Sequence, residues 1–281
     1  IMYNISGFAD EISPATDIQF EVLNKLGIKY FEPRGIDGKN ISDLTDDEAH
    51  ALRAKMDKAG ISVSSIGSPI GKIQITDDFA PHMEKLAQTI RTAKILGSKY
   101  IRMFSFYIPD GRYEEYRGEV MERMKKMTEL AEKEGVMLLH ENEKGIYGDI
   151  PERCKDILES VDSPSLRAVF DMANFVQCGA ETYPHAFNML KPYIEYMHIK
   201  DAVSESGRVV PSGMGDGHIR EIVSELKKDG YSGFFSLEPH LGSFEGLADL
   251  ELDDAMEKLP KGGEGTFTLA LRSFMKILEE E

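Results

Sequence analysis

Short apolar runs alternate along this chain with stretches whose apolar residues recur at three- and four-residue steps. The runs are YNISGFA (3–9), YFEPRG (30–35), SVSSIGS (62–68), YIRMFSF (100–106), VMLLHEN (136–142), RAVFDMAN (167–174), YMHIKD (196–201) and FFSLEPH (234–240). Between them lie segments such as DIQFEVLNKLG, DDEAHALRAKMDKAG, HMEKLAQTIRTAKILG, EVMERMKKMTELAEKEG and IREIVSELKKDG, whose period predicts amphipathic helices. Gly27, Gly60, Gly97, Gly135 and Gly230 each close such a segment, where a left-handed residue is wanted. Each unit spans roughly 30 residues, the length of a βαβ unit. Strands alternating with helices imply a parallel sheet, so the pattern predicts an α/β chain folded as one (β/α)8 TIM barrel over residues 1–281. A doubly wound open sheet is the rival; it wants a G-x-G-x-x-G turn after the first strand, and SGFADEIS has none. Two long loops, 201–218 and 241–265, follow strands and are expected on the C-terminal face, where loops of this fold shape the active site.

In a barrel the C-terminal ends of all strands converge, so residues that end different strands become neighbours. Those ends carry Glu32 and Arg34, Glu141 and Glu143, Asp171, His198 and Asp201, and Glu238 and His240. Carboxylates crowded together repel, and removing each from water costs several kcal/mol. A divalent cation resolves the conflict. Oxygen ligands with one imidazole suit Mn2+, placed first here, and equally Mg2+, Co2+ or Zn2+. Glu141, Asp171, His198 and Glu238 are the expected ligands, one from each of four consecutive strands. Any one of them alone is explained as well by a helix cap or an ion pair; four in succession are not. Lys200 is expected near the substrate, with Asp201 or Glu143 as alternative partners. His240 shares the face of Glu238 by the strand's period of two and is a candidate for a substrate hydroxyl. Glu32 and Arg34 form either an ion pair or a substrate contact. Arg102, inside the fourth strand, is expected to pair with Glu32 or Glu141 and to touch substrate only secondarily. His82 and His185 fall on helices away from the mouth.

Composition narrows the partners. The net charge of -16 and only 7 histidines argue against a nucleic-acid surface and against a multi-zinc nuclease. No stretch approaches a membrane span or a signal peptide, and the cysteines, Cys154 and Cys178, have no metal or disulfide spacing, which fits a reducing cytoplasmic setting. The 14 methionines are expected to fill the core.

With LLHEN (138–142), AVFDMANF (168–175), MHIKDA (197–202), GMGDGHI (213–219) and DGYSGFFSLEPH (229–240) in this order, the chain resembles the xylose isomerase-like barrel superfamily. Within it the likeness is to the sugar phosphate isomerase/epimerase group, which includes D-tagatose 3-epimerase, hydroxypyruvate isomerase and inosose dehydratase. The resemblance implies the same four metal ligands, with Glu141 and Glu238 also serving as the catalytic acid/base pair. It implies a metal-dependent isomerase or epimerase of a small sugar or keto-polyol, moving a proton next to a carbonyl through an enediolate. An inosose dehydratase-like lyase on the same site is the alternative, and a non-catalytic carbohydrate-binding barrel the alternative of another kind. Departures are visible: the epimerases place His three residues after the metal Asp, Arg six after the metal His, and Glu six after the first metal Glu. Here these are Asn174, Ser204 and Tyr147. Asn174 still offers a donor and an acceptor to a substrate hydroxyl. The partner is expected to be a small polyhydroxy carbonyl compound. A homodimer is compatible with the group, although no helix shows an unusual apolar face.

Overall fold

A computed structural model describes residues 3–241 and 259–280; most of the expected loop 241–265 therefore lies outside the described residues. Eight strands form the barrel: β1 (Asn4–Gly7), β2 (Tyr30–Phe31), β3 (Ser62–Val63), β4 (Tyr100–Met103), β5 (Met137–Glu141), β6 (Leu166–Asp171), β7 (Ile194–Ile199) and β8 (Phe234–Leu237). A continuous parallel sheet runs β1-β8-β7-β6-β5-β4. The ring closes through β2 and β3. The Glu32 N–H donates to the Gly7 carbonyl at 2.8 Å, Tyr30 and Phe31 pair with Ser62 and Val63, and Ile66 bridges to Ile101.

Helices wrap this ring: α1 (Thr16–Lys25), α2 (Asp46–Ala59), α3 (Ala80–Leu96), α4 (Tyr113–Glu134), α5 (Pro151–Val161), the short α6 (Met172–Gln177) and α7 (Phe187–Leu190), α8 (Ile219–Lys228) and α9 (Gly263–Glu280). At the start of α2, Thr45 and Glu48 form a reciprocal capping box, satisfying N–H groups that the helix itself leaves unpaired. Gly60, Gly97 and Gly135 terminate α2, α3 and α4 in the left-handed conformation, as the sequence predicts.

The second strand is shorter than its apolar run. Pro33 has no N–H to donate, so the ladder stops at Phe31, and Gly35–Ile36 turns instead into a small hairpin with Lys39–Asn40. The apolar core lies between the ring and the helices, where Phe20, Phe170, Phe187, Phe267 and Phe274 are buried almost completely. No helix of the described residues is long and apolar enough to cross a membrane.

Two histidines are folded into this shell. His140 is buried beside the Ser105 hydroxyl at 2.8 Å, and His82 accepts the Gly71 N–H at 2.7 Å through Nε2. Burial pushes both down to about 4, and Lys85 adds to the effect at His82. Both are thus neutral in the fold and free to protonate near 6.5 when unfolded. Their contribution is fully present above pH 6.5 and is lost as pH falls toward 4. Urea titrations should show stability declining through that window, by about 3 kcal/mol for His140 at its lower end. His140→Gln should flatten the slope.

Candidate metal centre

Four strand ends build the site. Glu141 and Asp171 are the last residues of β5 and β6, His198 is the penultimate residue of β7, and Glu238 directly follows β8. Asp171 and His198 are register partners, so their side chains share a face, and the Glu238 N–H donates to the Ile199 carbonyl at 3.2 Å, which holds the start of the turn. All four are buried, and each offers one ligand atom within 4.8 Å of all the others. His198 Nδ1 lies 3.0 Å from Glu141 Oε1, 3.7 Å from Glu238 Oε2 and 3.9 Å from Asp171 Oδ2. Neither His198 Nδ1 nor Asp171 Oδ2 makes a well-aligned hydrogen bond, although both are fully enclosed; each has only an ionic neighbour, Glu141 Oε1 at 3.0 Å and the Lys200 ammonium at 3.1 Å. Three carboxylates and one imidazole nitrogen fit a hard or borderline divalent cation.

The charges describe the same frustration. Burial raises the Asp171 carboxyl to about 7, with Glu141 and Glu238 adding to the effect and Lys200 only partly opposing it. Burial alone would also raise Glu141, but His198 and Arg102 override it and hold it at about 2. Glu238 is likewise driven well below the usual range, since Lys200 and His240 outweigh its burial. Burial disfavours the His198 imidazolium, yet Glu141 and Glu32 raise it well above the ordinary value. Without an ion, raised carboxyl and imidazole groups keep protons that offset the crowding.

A ring of cations surrounds the ligands. Arg102 Nη1 contacts Glu141 at 3.1 Å, while Nη2 donates to the Gly67 carbonyl at 3.2 Å; of the two partners expected for it, Glu141 is the one it takes. Lys200 joins neither Asp201 nor Glu143. Its ammonium spans Asp171 Oδ2 at 3.1 Å and Glu238 Oε2 at 3.0 Å, because its strand aims it at the mouth, while Glu143 is taken by Lys72 at 2.8 Å. Asn174 lies in the first turn of α6, which Asp171 caps. Its N–H donates to Asp171 Oδ1 at 2.8 Å, and its amide reaches Glu141 Oε1 at 3.2 Å and the Asn142 carbonyl at 2.8 Å.

Glu32 and Arg34 do not pair with each other. The chain turns at Pro33, sending Arg34 to Asp10 through two bonds of 2.7 and 2.8 Å and to Glu238 at 3.4 Å. Glu32 points the other way, into the barrel beneath His198. His240 does meet Glu238, at 3.0 Å, but not by strand alternation: β8 has ended at Leu237, and His240 sits past Pro239 with φ 46°. It is half-exposed, and its other nitrogen faces Glu11 at 3.2 Å. His82 and His185 lie away from the cluster, as expected; His185 meets Glu152 at 2.6 Å on the surface.

Asp10 and Glu11 were not assigned a role from the sequence, and Asp201 only that of an alternative partner for Lys200. Asp10 and Glu11 follow β1, so the strand-end rule already pointed to them. Asp201 explains the spacing of GMGDG. Its Oδ2 accepts the N–H groups of Gly213 and Gly215 at 2.9 and 3.0 Å, and its Oδ1 those of Gly217 and Ala202, both at 2.9 Å. A Cβ at Gly217 would lie 2.7 Å from that carboxylate, too close to be accommodated, so the approach requires glycine. The carboxylate thereby folds the 201–218 loop back onto the strand that carries His198 and Lys200. Asp201→Ala leaves those N–H groups unpaired and should cost about 3 kcal/mol. It should also release the loop, read as a lower melting temperature and faster tryptic cleavage at Arg208.

The chain has relatives at several distances. It is 26% identical over 180 residues to the 2-epi-5-epi-valiolone 7-phosphate 2-epimerase of Actinoplanes sp., a match covering 64% of this chain and 65% of that protein. The probable 3-DHS dehydratase AsbF from Bacillus anthracis superposes with a TM-score of 0.72 at 19% identity, over 98% of this chain and 99% of that one. The IolI protein, solved with a zinc atom, superposes with a TM-score of 0.74 at 17% identity, over 99% and 98%. These two structures share the barrel fold. The family model for the xylose isomerase-like TIM barrel matches residues 20–261, which include the strands that hold Glu141, Asp171, His198 and Glu238. The chain belongs to the xylose isomerase-like TIM barrel family.

Proposed function

We propose that this protein is a divalent-metal-dependent isomerase or epimerase of a small sugar or keto-polyol, working by proton transfer next to a carbonyl through an enediolate of the substrate. The observation that carries this reading is the convergence of Glu141, Asp171, His198 and Glu238 from four strand ends, each offering a ligand atom within 4.8 Å of all the others. The epimerase from Actinoplanes supports the reaction type, and the zinc atom in the structure of IolI, which shares the barrel fold, supports a divalent ion. Mn2+ is placed first for this donor set, and Mg2+, Co2+ or Zn2+ suit the same atoms. When bound, the ion supplies Lewis-acid polarisation of a carbonyl and its neighbouring hydroxyl.

The chain's own groups do the rest. Glu141 and Glu238 are the acid/base pair for the proton on the adjacent carbon. His240 is half-exposed and bonded to Glu238, and the bonds to Glu11 and Glu238 raise it to about 9 against its burial. It links Glu238 to solvent, so a proton held there exchanges with water. Arg34, Arg102 and Lys200 present positive charge where negative charge develops on substrate oxygens. Asn174 spends amide donors on Glu141 and Asn142, leaving its carbonyl oxygen for a substrate hydroxyl.

Incubation with a panel of ketoses and inososes in D2O tests the reading. At least one should acquire deuterium at the carbon next to its carbonyl. A conjugated enone or diketone, seen by absorbance, identifies dehydration instead. A panel that shows neither overturns the assignment.

A further inference from the structure

Glu32 sits at the end of β2 and was expected at the mouth; it lies instead under the imidazole of His198. Its carboxylate oxygens are 3.2 and 3.1 Å from His198 Nε2. The same carboxylate accepts the Tyr196 hydroxyl at 2.9 Å and the Ser236 hydroxyl at 2.7 Å. Tyr196 is tied in turn to the Ser64 hydroxyl at 2.8 Å, and Ser64 to Ser6 at 2.5 Å. Polar groups from β1, β7 and β8 and from the residues just after β2 and β3 thus form one chain across the barrel interior, ending at the imidazole. The ring itself is fixed by edge contacts, with Phe8 at 5.2 Å and Tyr196 at 5.8 Å between centroids.

We infer that Glu32 is a positioning residue that keeps the His198 proton on Nε2 and so directs the Nδ1 lone pair at the metal-binding carboxylates. A neutral imidazole has one donor nitrogen and one acceptor, and the partner of one nitrogen decides the role of the other. Nε2 is hydrogen-bonded to the Glu32 carboxylate, whereas Nδ1, although 3.0 Å from Glu141 Oε1, makes no aligned hydrogen bond, and this assigns the proton to Nε2. Nδ1, which faces Glu141, Asp171 and Glu238, is then the ligand atom. Two donated hydroxyls hold Glu32 in place, so the carboxylate cannot swing away from the ring without leaving both unpaired. A carboxylate behind a ligating histidine also strengthens the ligand, and losing one costs about 10–100-fold in metal affinity.

The inference rests on the metal reading of the site, and the test separates the two. Zn2+ is the probe, because it permits NMR of the ring nitrogens, and its affinity is measured by competition with a fluorescent chelator. In the wild-type protein the 15N shifts of His198 should show a protonated Nε2 and a Zn2+-bound Nδ1. Glu32→Gln keeps an acceptor oxygen and should retain that pattern. Glu32→Leu should lose about 10–100-fold in Zn2+ affinity. Zn2+ bound through Nε2 in the wild type, or unchanged affinity in a folded Glu32→Leu variant, overturns the role of Glu32. Wild-type protein that takes up no Zn2+ overturns the metal reading itself. The wild-type and Glu32→Gln spectra decide the matter even where Glu32→Leu does not fold.

Discussion

Glu238→Gln should reduce turnover by about 10²–10⁴-fold, the range typical for loss of a general acid or base, while leaving the barrel folded. The substitution keeps the side-chain volume and removes the charge. Lys200 retains Asp171 at 3.1 Å, and Arg34 retains its two bonds to Asp10, so neither cation is stranded. Glu141→Gln should be equally inactive but less stable. Arg102, buried between the rings of Phe8 and Phe104, has Glu141 as its carboxylate partner, and breaking a buried pair costs about 3–5 kcal/mol. The comparison therefore separates chemistry from folding: both variants lose deuterium exchange, and only Glu141→Gln loses several degrees in melting temperature. A Glu238→Gln enzyme that exchanges its substrate proton at near wild-type rate would remove Glu238 from the mechanism.

Removing the metal should have an effect of similar size. Protein dialysed against a strong chelator should be inactive in the exchange assay, with activity restored by Mn2+ or another of the divalent ions. The fold should survive, since Arg102 and Lys200 continue to offset the carboxylates, and the ion adds stability by mass action, about 4 kcal/mol at a thousandfold excess over its dissociation constant. The affinity should depend on pH in a definite direction. His198 and Asp171, the latter raised to about 7 by burial and by its acidic neighbours, hold protons in the ion-free site that binding must displace. Affinity should therefore fall as pH drops below about 7, and calorimetry in buffers of different ionisation enthalpy should record proton release on binding. Full activity after exhaustive chelation would end the metal-dependent reading.

The parts of the site that could be read in advance share one property. Glu141, Asp171, His198 and Glu238 are placed by strand ends alone, and strand ends were visible as breaks from apolar runs into charge. Arg102 with Glu141 followed from adjacent parallel strands. Contacts that depend on turns were not legible. Pro33 ends β2 early and sends Arg34 and Glu32 in opposite directions. His240 reaches Glu238 only because the chain turns back at Pro239, with His240 itself in the left-handed region. The three glycine N–H groups around Asp201 come from a loop whose path no periodicity describes.

The sequence by itself determined the barrel and the four strand-end residues Glu141, Asp171, His198 and Glu238 that meet in it, because these depend on local period and on the order of elements. Tertiary structure alone decided which charge faces which: that Lys200 bridges Asp171 and Glu238, that Glu32 lies beneath His198, and that Asp10 and Glu11 complete the rim. The reason is physical. A strand's alternation fixes the face on which a side chain lies, whereas its partner across the barrel depends on the stagger and closure of the whole ring, which no local window of sequence contains.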